Sequence, residues 1–178
     1  MILLILVPFI VKAQNTDSSR NDFAGEEAIM QNYLIHYTIS VKNNLPSVES
    51  EEKQQIKYLS AHAAGYMSKY GFVHSDFQQL QKYQAYTVTA DNRKLKVNEF
   101  KTSNLKDGSV FYDDVKETSF DFPAIAPGAL GNLEVSRVLQ DPHLLSPFYF
   151  GRQMPVLNSE LKISFPKEIF IKYILVKN

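Results

Sequence analysis

Proline decides most about this chain between Phe120 and Phe165. Five of the eight prolines fall there: Pro123, Pro127, Pro142, Pro147 and Pro155. Proline fixes φ and donates no hydrogen bond, so the stretch cannot be one long helix. Each proline should mark a strand end, an edge or a turn. Between them lie Leu133, Val135 and Val138, then Leu144, Leu145, Phe148, Tyr149 and Phe150. Apolar runs of this length, broken by Pro and Gly, predict strands of a sandwich or barrel.

The rest of the chain reads the same way. Tyr33, Ile35, Tyr37, Ile39 and Val41 alternate with Leu34, His36, Thr38, Ser40 and Lys42. That period of two predicts a strand with one apolar face, ended by the turn residues Asn43-Asn44-Leu45-Pro46. Phe72 and Val73 open a short strand. Leu80–Thr89 is another, and with Asp91-Asn92 and Leu95–Asn98 it predicts a hairpin. Asp107-Gly108 signals a second hairpin, with Val110, Phe111 and Tyr112 leaving it. Leu161, Ile163 and Phe165 alternate before Pro166. Ile169–Val176, nearly all apolar, predicts a central strand.

Ser47–Tyr70 is ambiguous. Glu49, Glu51 and Glu52 lead, Ile56, Leu59, Ala63, Tyr66 and Tyr70 follow at helical spacing, and Lys69 and Gly71 close it. Acid first, base last and glycine beyond is a helix signature, while the aromatic and β-branched content suits strands. At least one helical turn is expected around Ser60–Met67, with a strand before it. The expected fold is mainly β: an antiparallel β-sandwich over residues 28–178 with one short helix or helical turn near 60–67.

Ile2–Val11 is an unbroken apolar run too short for a membrane-spanning helix, which takes about 20 residues. Val11-Lys12-Ala13 then presents small residues as a signal-peptidase site does. No Lys or Arg precedes the run, so either the start lies upstream or the segment is a buried strand. The expected organisation is a signal peptide at 1–13 cleaved after Ala13, a polar leader at 14–27 and a secreted or periplasmic domain.

The chain has 178 residues with 19 basic and 19 acidic side chains. That balance argues against a nucleic-acid partner, which requires a basic excess. Arg93, Lys94 and Lys96 read as the wet face of a strand. No cysteine is present, which excludes disulfides, thiolate metal ligands and a cysteine nucleophile within this chain.

Candidates for chemistry are thin. His36, His62, His74 and His143 show no metal-binding spacing. His74-Ser75-Asp76 holds the residue types of a hydrolase triad, but neighbours in one segment cannot converge as triad members do. A turn is expected there, with Ser75 or Asp76 bonding local backbone. Asp113-Asp114, with Glu117 and Asp121 nearby, lacks calcium-loop spacing and reads as a solvated edge. Tyr and Phe could line a glycan platform, though they serve a core as readily. No catalytic, cofactor-binding or metal-binding residue is assigned, and no cofactor is expected.

Phe122-Pro123-Ala124-Ile125-Ala126-Pro127-Gly128, followed by a strand, Phe148–Phe150, Met154-Pro155-Val156 and Ser159, resembles a known pattern. It is that of the N-terminal domain of unknown function in secreted bacterial proteins with a transglutaminase-like domain. Gln84-Ala85-Tyr86-Thr87 and the turn at Asp91-Asn92 resemble that family's earlier hairpin. The resemblance covers roughly Glu27–Asn178. It implies a β-sandwich preceding a papain-like core that uses Cys, His and Asp, with an aromatic strand at Phe148–Phe150. Without cysteine, none of those catalytic residues can be carried over. The implied role is a non-catalytic accessory domain, with the downstream transglutaminase-like domain as partner and this chain a fragment of a longer polypeptide. The alternatives are an independent glycan- or protein-binding module, or a cysteine-independent hydrolase around His74 or Asp113.

Overall fold

The computed structural model describes residues 23–43, 45–105, 115–139, 142 and 145–176. Among the described residues, nine strands and one short helix follow in the order β1 (Ala28–Lys42), β2 (Leu45–Tyr58), α1 (Ala63–Tyr66), β3 (Lys69–His74), β4 (Gln78–Val88), β5 (Lys94–Lys96), β6 (Lys101–Asn104), β7 (Lys116–Asp121), β8 (Leu130–Leu139) and β9 (Ser159–Ser164). The protein is mainly β, as expected. Six strands form one sheet in the order β5-β4-β8-β2-β1-β9, and three form a second, β3-β7-β6. All pairs are antiparallel except β1 with β9, which run parallel.

The long hairpin β1–β2 lies at the heart of the larger sheet. Asn43 takes φ 52° in its turn, a conformation that asparagine tolerates better than most residues. In β1, Tyr33, Tyr37 and Ile39 are buried as the alternation predicts. The β4–β5 hairpin also forms where expected. Thr89 N donates to Arg93 O at 2.9 Å and Asn92 N to Thr89 O at 2.8 Å, with Asn92 at φ 63°.

The ambiguous segment resolves into strand, then helix. Its first part is the 14-residue β2, not a helix. Val48, Ser50, Glu52, Gln54, Ile56 and Tyr58 all point inward, so the alternation is real but half its buried members are polar. The helical turn is the four-residue α1.

The Pro-Gly stretch carries the chain from the small sheet to the large one. Phe122 N donates to Ser68 O at 2.9 Å as β7 ends. Gly128, at φ 87°, donates its N–H to Tyr58 O at 2.8 Å, fixing the entry to β8. Strand β8 then runs between β2 and β4.

Two expected strands are absent among the described residues. Residues 145–150 are irregular: Pro147 removes a ladder donor, and Phe148 stacks on Tyr33 with centroids 5.1 Å apart. The aromatic strand implied by the resemblance is therefore a strap over the sheet. Residues 169–176 also pair with no strand. Leu144, the hairpin signal Asp107-Gly108, Val110–Tyr112, Asp113-Asp114, His143 and the segment 1–22 lie outside the described residues.

The two sheets share an aromatic-rich core. Phe72, Phe120 and Phe122 meet Tyr58, Leu133, Val135 and Ala85 of the larger sheet. Tyr83 touches Phe72 and Phe100 at 5.4 and 4.9 Å, and Phe120 sits 5.2 Å from Phe100 and 5.0 Å from Phe122. A second, smaller cluster of Tyr37, Ile39, Val48 and Leu139 is covered by Leu145, Leu161, Ile163, Ile169 and Ile171.

Candidate functional site

Between those two clusters β2 turns three consecutive inward positions polar: Ser50, Glu52 and Gln54. Strand pairing sets their neighbours. Ser50 lies opposite Tyr37 of β1 and Arg137 of β8, and Glu52 opposite Ile35 and Val135. Arg137 reaches one same-face step along to Glu52, with Nη1 donating to Oε2 at 2.7 Å. Both side chains are about nine-tenths buried, at 9% and 11% exposure. Gln54 Nε2 donates to the other Glu52 oxygen at 2.5 Å. The Tyr70 hydroxyl donates to Gln54 Oε1, and Arg137 Nη2 donates to the Val73 carbonyl at 3.2 Å. Tyr70 and Val73 both belong to β3. The chain of bonds thus leaves the small sheet, crosses β2 and β8, and returns to the small sheet. The Arg137 guanidinium also lies 5.8 Å from the Phe72 ring centroid.

A cleft of about 140 Å³ opens beside this chain, lined by Tyr33, Tyr37, Ser50, Glu52, Gln78, Arg137 and Ser146 among others. Burial, with Glu52 adding to it, pushes the Tyr33 hydroxyl up to about 12 against the opposing pull of Arg152. Burial likewise raises Tyr70 to about 12 and raises Tyr37. These phenols are therefore neutral at ordinary pH. Glu52 already accepts from Gln54 and Arg137. The Arg137 Nε is buried with no partner among the described residues. The cleft lies below the roughly 300–1,000 Å³ of small-molecule sites. Glu52, Gln54, Tyr70 and Arg137 are bonded in one chain, and they act as a polar tie between the sheets.

A larger cleft of about 410 Å³ lies where β5 meets the small sheet. It is lined by Lys69, Lys96, Glu99, Lys101, Asp121 and Phe120 among others.

The residues singled out in the sequence are scattered. His36 Nε2 hydrogen-bonds Ser164 Oγ at 2.8 Å across β1 and β9, so it is half-buried and partnered, not simply facing solvent. His62 pairs with Glu27 at 3.3 Å on the surface, and Glu27 also accepts from Ser60 Oγ. His74 Nε2 meets Thr118 Oγ1 at 3.1 Å. Burial, then Lys116 and Arg137, hold its pKa below the ordinary value. Ser75 forms the expected turn, accepting from Gln78 N through both its carbonyl, at 3.1 Å, and its hydroxyl, at 3.3 Å. Lys94 lies over the Tyr86 ring at 3.6 Å, while Arg93 pairs with Asp91 at 2.7 Å. Among the described residues no group of three His, Asp or Glu side chains could hold a metal ion. Sequence reasoning missed the Glu52–Arg137 tie because its members lie 85 positions apart.

The model of a domain of unknown function, DUF3857, matches residues 46–178. The chain belongs to the DUF3857 family. Strand β1 precedes the matched region, yet in this family member it forms the other half of the β1–β2 hairpin. Among solved structures, a candidate protease from Parabacteroides distasonis shares the fold at 20% identity and a TM-score of 0.63. The alignment covers 80% of this chain and 29% of that one. An M1 zinc metallopeptidase from Deinococcus radiodurans aligns over 72% of this chain and 24% of its own at 14% identity, with a TM-score of only 0.32. No curated protein matches the DUF3857 sequence described here.

Proposed function

We propose that this DUF3857 domain is a non-catalytic, extracytoplasmic accessory domain. It docks on a transglutaminase-like domain of the same polypeptide and positions that domain or its substrate. The observation carrying the reading is a run of exposed apolar side chains between 170 and 176. Phe170, Tyr173, Ile174, Leu175 and Val176 are 95, 76, 79, 77 and 83% exposed. A run of exposed large apolar side chains is the kind of surface that serves as an interaction site. Glu52, Gln54 and Arg137 in the core, by contrast, are bonded to one another. The apolar Met1–Ala13 segment supports export, and the balanced charge supports a partner other than nucleic acid.

The test uses the transglutaminase-like domain of a relative that carries both domains, produced as a separate chain. Added at about 100 times its dissociation constant, the DUF3857 domain is expected to stabilise that partner by about 2.7 kcal/mol. An unchanged melting temperature, with no complex on size-exclusion chromatography, refutes docking.

A second reading, an independent binding module for glycan or protein, is supported by the cleft at Lys69, Lys96 and Lys101. Its volume of about 410 Å³ is within the range of ligand sites. Calorimetric titration with carboxylated oligosaccharides tests it. Heat that vanishes in Lys96→Ala/Lys101→Ala supports it, and absence of heat in the unmutated protein ends it.

A further inference from the structure

Beside the polar tie lie two buried hydroxyls outside its chain of bonds. Tyr37 and Ser50 are 9% and 5% exposed, and neither hydroxyl has a hydrogen-bond partner among the described residues. They are not sealed in the core as Thr87 Oγ1 is, so both open onto the cleft of about 140 Å³ that they line. Strand pairing sets Ser50 between Tyr37 of β1 and Arg137 of β8. Buried polar groups are almost always hydrogen-bonded, so two exceptions facing one cleft point to a guest.

The lining defines that guest. At roughly 30 Å³ for each water-sized group, a cleft of about 140 Å³ holds about four or five of them. It therefore takes one functional group, not a whole ligand. Both hydroxyls can donate to a carbonyl oxygen, and Arg137 keeps N–H groups beyond those that reach Glu52 and Val73. Glu52 accepts one bond at each oxygen, from Gln54 and Arg137. A carboxylate offers about four acceptor sites, so Glu52 has room for an N–H. Ile35, Leu139 and Pro147 give the same cleft an apolar wall. Charge excludes an ion. Arg137 and Glu52 already neutralise each other at 2.7 Å, so a carboxylate would be set against Glu52, and an ammonium against Arg137, largely out of water.

We infer that this cleft binds one neutral amide group, its carbonyl toward Tyr37, Ser50 and Arg137 and its N–H toward Glu52. A peptide side-chain amide and the acetamido group of a sugar present this same chemistry. The inference goes beyond the docking and binding-module readings and depends on neither. The test titrates the isotope-labelled full chain with acetamide and follows the backbone amide signals of Ser50 and Arg137. Saturable shifts on about the millimolar scale are expected for so small a probe. Acetate, the charged isostere, should bind at least about tenfold more weakly. Tyr37→Phe keeps the ring and removes one oxygen; it and Ser50→Ala should each weaken acetamide at least about threefold, with an unchanged melting temperature as the control on folding. N-acetylglucosamine binding more tightly than acetamide assigns the group to a glycan, and a glutamine dipeptide amide doing so assigns it to a peptide. The inference is overturned if acetamide gives no saturable shift, if acetate binds as tightly, or if both variants bind acetamide as the parent does. It fails as well if both larger probes bind more weakly than acetamide, since the cleft then admits no group of a larger molecule.

Discussion

Replacing Arg137 with methionine tests the polar tie at its centre. The substitution leaves Glu52 ionisable at 11% side-chain exposure with Gln54 as its remaining partner. It also strips the Val73 carbonyl of the donor from β8. Removing one member of a buried ion pair costs about 3–5 kcal/mol, because the survivor is left uncompensated. The lost bond to Val73 is worth about 1 kcal/mol alone. It belongs to the same network, so the two do not simply add. A domain of this size has a total stability of about 5–15 kcal/mol, so Arg137→Met should remove a large share of it. The double variant Glu52→Leu/Arg137→Met removes both charges and should come within about 2 kcal/mol of the parent, or exceed it. Arg137→Lys should fall between, since one compact ammonium cannot serve both Glu52 and Val73. Urea unfolding with a constant m-value measures all three. The reasoning is refuted if Arg137→Met costs under about 1 kcal/mol, the range of a solvated pair. It is refuted equally if the double variant costs the sum of the single ones.

Other expectations concern packing, turns and pH. A methyl group on Gly131 would meet the Tyr58 and Phe122 rings at 3.1 Å; Gly131→Ala should cost about 1–3 kcal/mol, and thermal unfolding matching the parent would contradict that packing. Asn92 occupies the left-handed region, so Asn92→Val should cost about 1–2 kcal/mol while Asn92→Gly stays near neutral; equal melting temperatures for the two would count against the turn. Burial pushes the Tyr33 and Tyr70 hydroxyls up to about 12, above the ordinary 10.0. Their contribution is full below pH 10 and is lost as pH rises from 10 to about 12. Phenolate absorbance should show these two lagging the exposed tyrosines, and a single transition near pH 10 for every tyrosine would refute it.

Elements whose buried face is apolar were legible in the sequence. Strand β1, the β4–β5 hairpin and β9 announce themselves by alternation and turn residues. The Pro-Gly stretch announced a turn between sheets, and it is one. Strand β2 was legible only in part, because Ser50, Glu52 and Gln54 occupy inward positions. Buried polar residues look solvent-facing until their partners are known, and Arg137 and Tyr70 come from other strands. The strap at 145–150 misled for the opposite reason: its aromatic residues suit a strand, but Pro147 and the Tyr33–Phe148 stack fix it as irregular cover. Residues 169–176 carry a strand's composition and pair with no strand among the described residues. Propensity describes a segment, whereas pairing depends on what lies beside it.

The position of β8 has a consequence for how the chain reaches its native state. The β1–β2 and β4–β5 hairpins are local and can form early, but they do not touch: β8 pairs with β2 on one side and β4 on the other. The large sheet therefore stays in two halves until Leu130–Leu139 leaves the ribosome and closes a long loop back to β2. Such non-local pairing slows folding and leaves unpaired edges exposed meanwhile. A nascent chain halted before Leu130 would hold two hairpins with no strand to pair them into one sheet, and chaperones would meet it in that state.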